Sequence, residues 1–250
     1  CCFLTLLHGL GFLLDNIFFR GYRNVSIIRP VFIVGPPRSG TTLLHRLLAR
    51  DSARFTSFAL WEILFAPSIT ERHVLGFFAR IDRLLGGRIE KRIQRTQERW
   101  FEEINTRHHV SFFQPEEDFV LLTYVFAFPW LIAPFPFTRT LGHLWRFDQE
   151  TPRDQQDRVM RFYTRCVQRH LYFHGPDKSF LSKNPFFTQK IRALDRTFPD
   201  ARFVCNLRTP SATQTPQMRV FRSPGPQPGS RNHRNRKGRR FPLKAPPLKS

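Results

Sequence analysis

Apolar positions change their spacing several times along the chain, and each change predicts an element. Cys1 to Leu14 is apolar apart from His8 and is closed by Asp15. It is too short to span a bilayer and lacks a basic lead-in, so it predicts an amphipathic helix packed on the domain, with a shortened membrane anchor as the alternative. Val31 to Val34 is a short, mostly β-branched run bounded by Pro and Gly, which predicts a strand buried on both faces. Leu43, Leu44, Leu47 and Leu48 then recur at helical spacing and predict a helix packed on the sheet. A second strand is expected near Arg54–Phe58. Residues 71–100 predict helix, with Val74, Phe77, Phe78, Ile81, Leu84 and Leu85 as a stripe and Gly86–Gly87 as a break.

The second half predicts further helices and a strand. Thr151-Pro152-Arg153-Asp154 has the form of a capped helix start. Val159, Phe162, Tyr163, Cys166, Val167 and His170 give that helix its apolar face. Asn184 is a good N-cap and Pro185 a good first helical residue. Phe187, Ile191, Leu194 and Phe198 fall on one face of the helix that follows. Phe198-Pro199-Asp200-Ala201 predicts a turn, and Arg202 to Leu207 a buried strand ending at Arg208. Phe119 to Phe137 holds no charge and seven aromatic residues over 19 positions, but Pro129, Pro134 and Pro136 oppose a membrane span. It reads as a buried helix leading into an aromatic loop, either an apolar acceptor pocket or plain core. Strands alternating with helices predict an α/β fold.

Length and charge set the domain layout. The chain of 250 residues can bury one substantial core. Its net charge is +21, yet residues 211–250 alone carry ten Lys and Arg, no acid and seven Pro. That segment predicts a disordered basic tail, able to touch nucleic acid or anionic lipid non-specifically. The layout is a lead-in helix over 1–30, an α/β domain over 31–210 and the tail over 211–250. Cys rather than Met at position 1 reads as a fragment. The four cysteines have no metal-ligand spacing, and Cys166 and Cys205 are expected as free buried thiols. No internal repeat is present. No signal names the compartment, and the cytoplasm is the expectation.

The segment after the first strand carries the chemistry. Gly35 and Gly40 have the spacing of a phosphate-binding G-x-x-x-x-G loop, followed by a helix. Backbone N–H groups at such a helix start attract an anion, helped by roughly half a positive charge from the dipole. A nucleoside triphosphatase needs Lys and Ser/Thr after the second Gly. Thr41 and Thr42 stand there instead, and the loop's cation is Arg38, a planar fork of donors.

Pro37-Arg38-Ser39-Gly40-Thr41-Thr42 resembles the 5′-phosphosulfate loop of the sulfotransferases, in the branch that includes tyrosylprotein sulfotransferases and many bacterial relatives. Ser182-Lys183-Asn184-Pro185, the helix after it, Phe198-Pro199-Asp200-Ala201 and the strand ending at Arg208-Thr209-Pro210 resemble the family's second motif. The resemblance covers roughly residues 20–210 and implies a P-loop-like parallel sheet with helices on both faces. It implies 3′-phosphoadenosine-5′-phosphosulfate (PAPS) as donor and a hydroxyl as acceptor, and nothing in the sequence calls for a metal. Pro37 to Thr42 would hold the 5′-phosphosulfate, Arg38 and Lys183 would stabilise the transition state, and Arg208 would bind the 3′-phosphate. For the base, Glu62 lies at a place comparable to the family's glutamate, a few residues further from the loop arginine. His108 and His109 are the alternative, because histidine titrates near neutrality. The acidic triplet Glu116-Glu117-Asp118 reads as an ordinary first turn of a helix. The family pattern, including its serine for the 3′-phosphate, is lost after about Pro210, which suggests truncated or out-of-frame translation. Arg236-Lys237-Gly238 resembles a cytosolic-branch 3′-phosphate motif without a fold around it. The competing readings are a P-loop nucleotide kinase, a non-catalytic polyanion binder and an inactive remnant.

Overall fold

Four short strands carry the architecture: β1 (Val31–Val34), β2 (Phe55–Thr56), β3 (Ser179–Lys183) and β4 (Arg202–Cys205). They form one sheet in the order β2-β3-β1-β4, and every pairing is parallel. The computed structural model describes residues 2–36, 39–105, 111–127 and 139–206, and all of them lie in one compact unit, Cys1–Thr213. The tail expected over 211–250 lies outside the described residues. Among the described residues, no helix is long and apolar enough to cross a membrane.

Strand alternation sorts the core into two layers. Val31, Ile33 and Leu181 face α2 (Thr41–Ala49), where Leu44 and Leu48 pack against them. Phe32, Val34 and Phe180 face the other way, onto a larger core with Tyr163, Cys166, Val167 and Leu171 of α7 (Arg153–His174). Successive side chains of a strand point to opposite faces, so one apolar run serves two layers. The central strand β1 is accordingly buried at all four positions. Leu43 and Leu47 depart from the expectation. They stay exposed, because only the Leu44–Leu48 side of α2 meets the sheet.

Other elements follow the sequence with local differences. Asn184 caps as expected, accepting a hydrogen bond from Phe186 N. The helix after it is split into a 3-10 turn (Pro185–Gln189) and a separate helix, which breaks at Lys190, while Phe187, Leu194 and Phe198 still reach the core. Ahead of α7, Pro152 rather than Thr151 occupies the N-cap position. The segment from Asp118 to Val125 is a 3-10 helix, and its Leu121 and Leu122 are core. Cys166 is buried as expected, whereas Cys205 is exposed, since β4 forms the edge of the sheet and its outer positions face solvent. The remaining helices are α1 (Cys2–Phe18), α3 (Leu60–Phe65), α4 (Ile69–Leu84), α5 (Arg88–Asn105) and α6 (Phe147–Glu150), with the segment after Lys190 numbered α8 (Ile191–Thr197).

Candidate active site

The carboxyl ends of three adjacent strands converge, the usual ligand crevice of an open parallel sheet. Ile33 of β1 is in register with Lys183 of β3, and Val34 is in register with Cys205 of β4. The chain therefore leaves β1 at Gly35 between the ends of its two neighbours. Asn184 N donates to Ile33 O at 3.1 Å, and Asn206 N donates to Val34 O at 3.2 Å, which ties both neighbours to the exit.

Asn206 explains why the loop needs both glycines. Gly35 has φ 143°, and a Cβ there would lie 2.7 Å from Asn206 O. Gly40 has φ 91°, and its Cβ would lie 3.3 Å from Asn206 Nδ2. Either position is costly for a residue with a side chain. Gly40 is the N-cap of α2 and provides no side-chain acceptor, so the first amides of that helix are left for another partner. Ser39 and Thr41 are buried beside it. Ser39 Oγ has no hydrogen-bond partner among the described residues, a condition that a bound anion would relieve. Thr42 follows in the first turn of α2. Pro37 and Arg38 lie outside the described residues, as do His108, His109 and Arg208.

Lys183 ends β3, and only about 5 % of its side chain is exposed. Its Nζ donates to Glu117 Oε1. Glu117 is set in place by its neighbour Asp118, which is buried among three donors. Tyr163 Oη donates to Asp118 Oδ2 at 2.5 Å, Ser182 Oγ to Oδ2 at 2.8 Å, and Asn184 Nδ2 to Oδ1 at 3.1 Å. Burial pushes the Asp118 carboxyl up to about 6, against these hydrogen bonds. The segment before it is fixed by Glu116 N donating to Phe58 O at 3.0 Å. Burial also raises the Glu116 carboxyl. The triplet does lead into a helix start, with Glu117 at the N-cap position and Asp118 in the first turn of a 3-10 helix, and it also braces Lys183. His45, on α2, accepts or donates at Ser57 Oγ over 3.1 Å. Burial, then the nearby Lys183 ammonium, lowers it to about 3, so it is neutral beside the ammonium.

Glu62 sits elsewhere in the network. It is 1 % exposed and caps its own helix by accepting from Ala59 N at 2.8 Å. Oε1 meets Arg72 at 3.5 Å and His174 Nε2 at 2.5 Å, and Oε2 lies 3.6 Å from His170 Nδ1. Burial alone would raise its pKa, but Arg72, His170 and His174 outweigh that and hold the carboxyl well below the usual range. Burial holds His170 well below the usual imidazole range, and its Nε2 lies 2.8 Å from Thr56 Oγ1. Among the described residues, no hydrogen bond or ion pair joins Glu62 to Lys183. Glu62, His170 and His174 bring their ligating atoms within 4.8 Å of one another, as a metal site would. Arg72 already supplies the cation of that cluster, 3.5 Å from both Glu62 Oε1 and His170 Nδ1.

Known proteins match the sequence and the fold. The sequence model of the sulfotransferase family fits residues 30–235. The chain belongs to the sulfotransferase family. The match runs past Pro210, where the sequence reading put the loss of the pattern. No curated protein sequence matches the chain. Two solved structures share the fold. Sulfotransferase STF1 from Mycobacterium tuberculosis is 20% identical with a TM-score of 0.51, over 80% of this chain and 50% of that one. Sulfotransferase STF9 from Mycobacterium avium is 20% identical with a TM-score of 0.54, over 79% of this chain and 47% of that one. The chain thus spans about half the length of these structures.

Proposed function

We propose that the chain transfers a sulfuryl group from PAPS to a hydroxyl, at the crevice between the ends of β1 and β3. The observation that carries this reading is the pairing of two features in register: an uncapped helix start with the unpartnered Ser39 Oγ, and the Lys183 ammonium one strand away. The amides of Thr41 and Thr42, with Ser39 and Arg38, suit the 5′-phosphosulfate. Arg208, two residues beyond Asn206, suits the 3′-phosphate. Transfer needs in-line attack of the acceptor oxygen on sulfur, a home for the acceptor proton, and donors for the charge that builds on the leaving phosphate oxygen. Preorganised donors of that kind contribute about 3–4 kcal/mol each.

Glu117 suits the base better than Glu62, because it already touches Lys183 and is partly open, whereas Glu62 commits both oxygens to Ala59, Arg72 and the two histidines. In this scheme the donor draws Lys183 Nζ onto the bridging oxygen and releases Glu117. The acceptor O–H proton passes to Glu117 as the O–S bond forms, and the S–O bond to the phosphate breaks. The ammonium then balances the charge left on 3′,5′-bisphosphoadenosine.

Calorimetric titration of the full chain with 3′,5′-bisphosphoadenosine and with ATP tests the donor class. Binding of the bisphosphate at least tenfold tighter than ATP is expected. Preference for ATP would make the chain a P-loop kinase.

A further inference from the structure

The helix α1 is turned inside out. Its buried positions are His8, Gly11 and Asp15, while Leu6, Leu10, Leu13, Ile17 and Phe18 face solvent, with Leu6 at 74% exposed and Phe18 at 71%. The inward side is held by polar bonds. His8 Nδ1 lies 2.6 Å from Glu71 Oε1, and Arg169 Nε donates to Asp15 Oδ2 at 2.8 Å. Asp15 also accepts from the amides of Ile69 and Thr70 at 2.9 and 2.8 Å, capping α4. A Cβ on Gly11 would lie 2.5 Å from Ser68 Oγ, so the helices approach closely there. The sequence led us to expect an amphipathic helix packed on the domain, and it is packed, largely through polar residues, with Phe12 the apolar side chain that reaches the core.

The neighbouring helices continue the pattern. On α4 the predicted stripe exists but does not pack: Phe77, Phe78 and Leu84 are 61%, 60% and 87% exposed. On α5, Ile89 and Ile93 are exposed among Arg88, Lys91, Arg92 and Arg95, with Glu90 the acid beside them. Solvent-facing apolar surface of this extent marks an interaction surface. The charges around it choose the partner. Arg20 and Arg23 follow α1, Arg83 and Arg88 flank the α4–α5 turn, and Arg92 and Arg95 lie along α5, all exposed. A second copy docked by a two-fold axis would bring like charges together. Anionic lipid headgroups would neutralise them while the leucines and phenylalanines enter the acyl boundary, the behaviour of basic amphipathic helices.

We infer that α1, α4 and α5 form a docking face for an anionic lipid bilayer, on which the protein lies without spanning it. The test is co-sedimentation of the full chain with vesicles of phosphatidylcholine alone or with about 30 mol % phosphatidylserine. Binding to the anionic vesicles is expected to exceed binding to the neutral ones by at least about tenfold. The outward-facing pair Leu6→Glu and Phe77→Glu should reduce it by about tenfold or more, with an unchanged thermal midpoint as the folding control. Vesicle binding that survives both substitutions would overturn the inference, because it would then belong to the basic 211–250 segment. A failure to pellet with either vesicle would also overturn it. So would a concentration-dependent dimer that the same substitutions abolish while vesicle binding stays unchanged, since the occupant would then be a second copy.

Discussion

The Lys183 ammonium and the Glu117 carboxylate form an ion pair at the carboxyl end of β3, next to the loop that leaves β1. In the proposed reaction these would be the proton acceptor and the charge-stabilising cation, held together at one spot. Glu117→Gln should lower turnover by about 10²–10⁴-fold, the usual range for a lost general base, with little change in affinity for 3′,5′-bisphosphoadenosine. Glu62→Gln should act differently. It leaves Arg72 buried without its partner and should cost about 3 kcal/mol of stability, while the folded fraction keeps near-normal turnover. Single-turnover sulfuryl transfer and urea melts on both variants separate the roles. Normal rates in Glu117→Gln with a tenfold loss in folded Glu62→Gln would return the base to Glu62.

Gly35→Ala combines a φ of 143° with a methyl 2.7 Å from the carbonyl of Asn206. Strain at such a position costs about 1–3 kcal/mol, so the urea midpoint should fall and bisphosphoadenosine binding should weaken with it. Gly40→Ala adds the strain of a φ of 91° but meets only a side-chain nitrogen, at 3.3 Å. It should weaken nucleotide binding more than it lowers stability, which calorimetry and melts on the same preparation would show.

Lys190 is fully buried, and its Nζ lies 4.7 Å from the centre of the Phe147 ring. Burial lowers it to about 8, with Asp148 opposing. The unfolded chain holds this proton up to about pH 10.4, so the folded state loses stability as pH falls from there to about 8, and the full cost is present at pH 7. Lys190→Met should raise stability by about 1–3 kcal/mol at pH 7 and flatten the dependence across that window. A lower melting point in the methionine variant would count against the lysine being a burden on the fold.

Acid should act on the fold through His45. The unfolded imidazole gains its proton near pH 6.5, whereas the folded one refuses it until about pH 3. Stability at this site is complete above 6.5 and declines as pH drops towards 3. His170, also held low by burial, adds to the slope. His45→Gln should remove about one proton from the pH dependence of the urea midpoint between pH 6.5 and 4. An unchanged slope would show that His45 is protonated in the folded protein.

Much of this could be read from the chain. Val31–Val34 announced the central strand because a short β-branched run between Pro and Gly has few other uses. Asn184-Pro185 announced a capped helical start, and the structure has one, as a 3-10 turn capped by Asn184. Features that depend on distant partners stayed hidden. Glu116-Glu117-Asp118 reads as a helix start and is one, but its second role as a brace shows only when Tyr163, Ser182 and Asn184 close around Asp118. Glu62 looks like an available carboxylate until Arg72 and His174 reach it. Periodicity marked α1 as two-faced, but which face turns inward was decided by Glu71 and Arg169, far along the sequence. A four-residue strand pattern cannot show whether its strand is central or at an edge, and so Cys205 was misjudged.

The backbone ladder that pairs Ile33 with Lys183 also has a mechanical meaning. The spacing between the main chain that leaves β1 and the backbone of Lys183 is set by the strand ladder, about 4.8 Å per step, and not by a hinge. The two main chains cannot part there without unzipping the middle of the sheet, so any motion that times the site would lie in the Lys183 side chain and in the arrival of reactants.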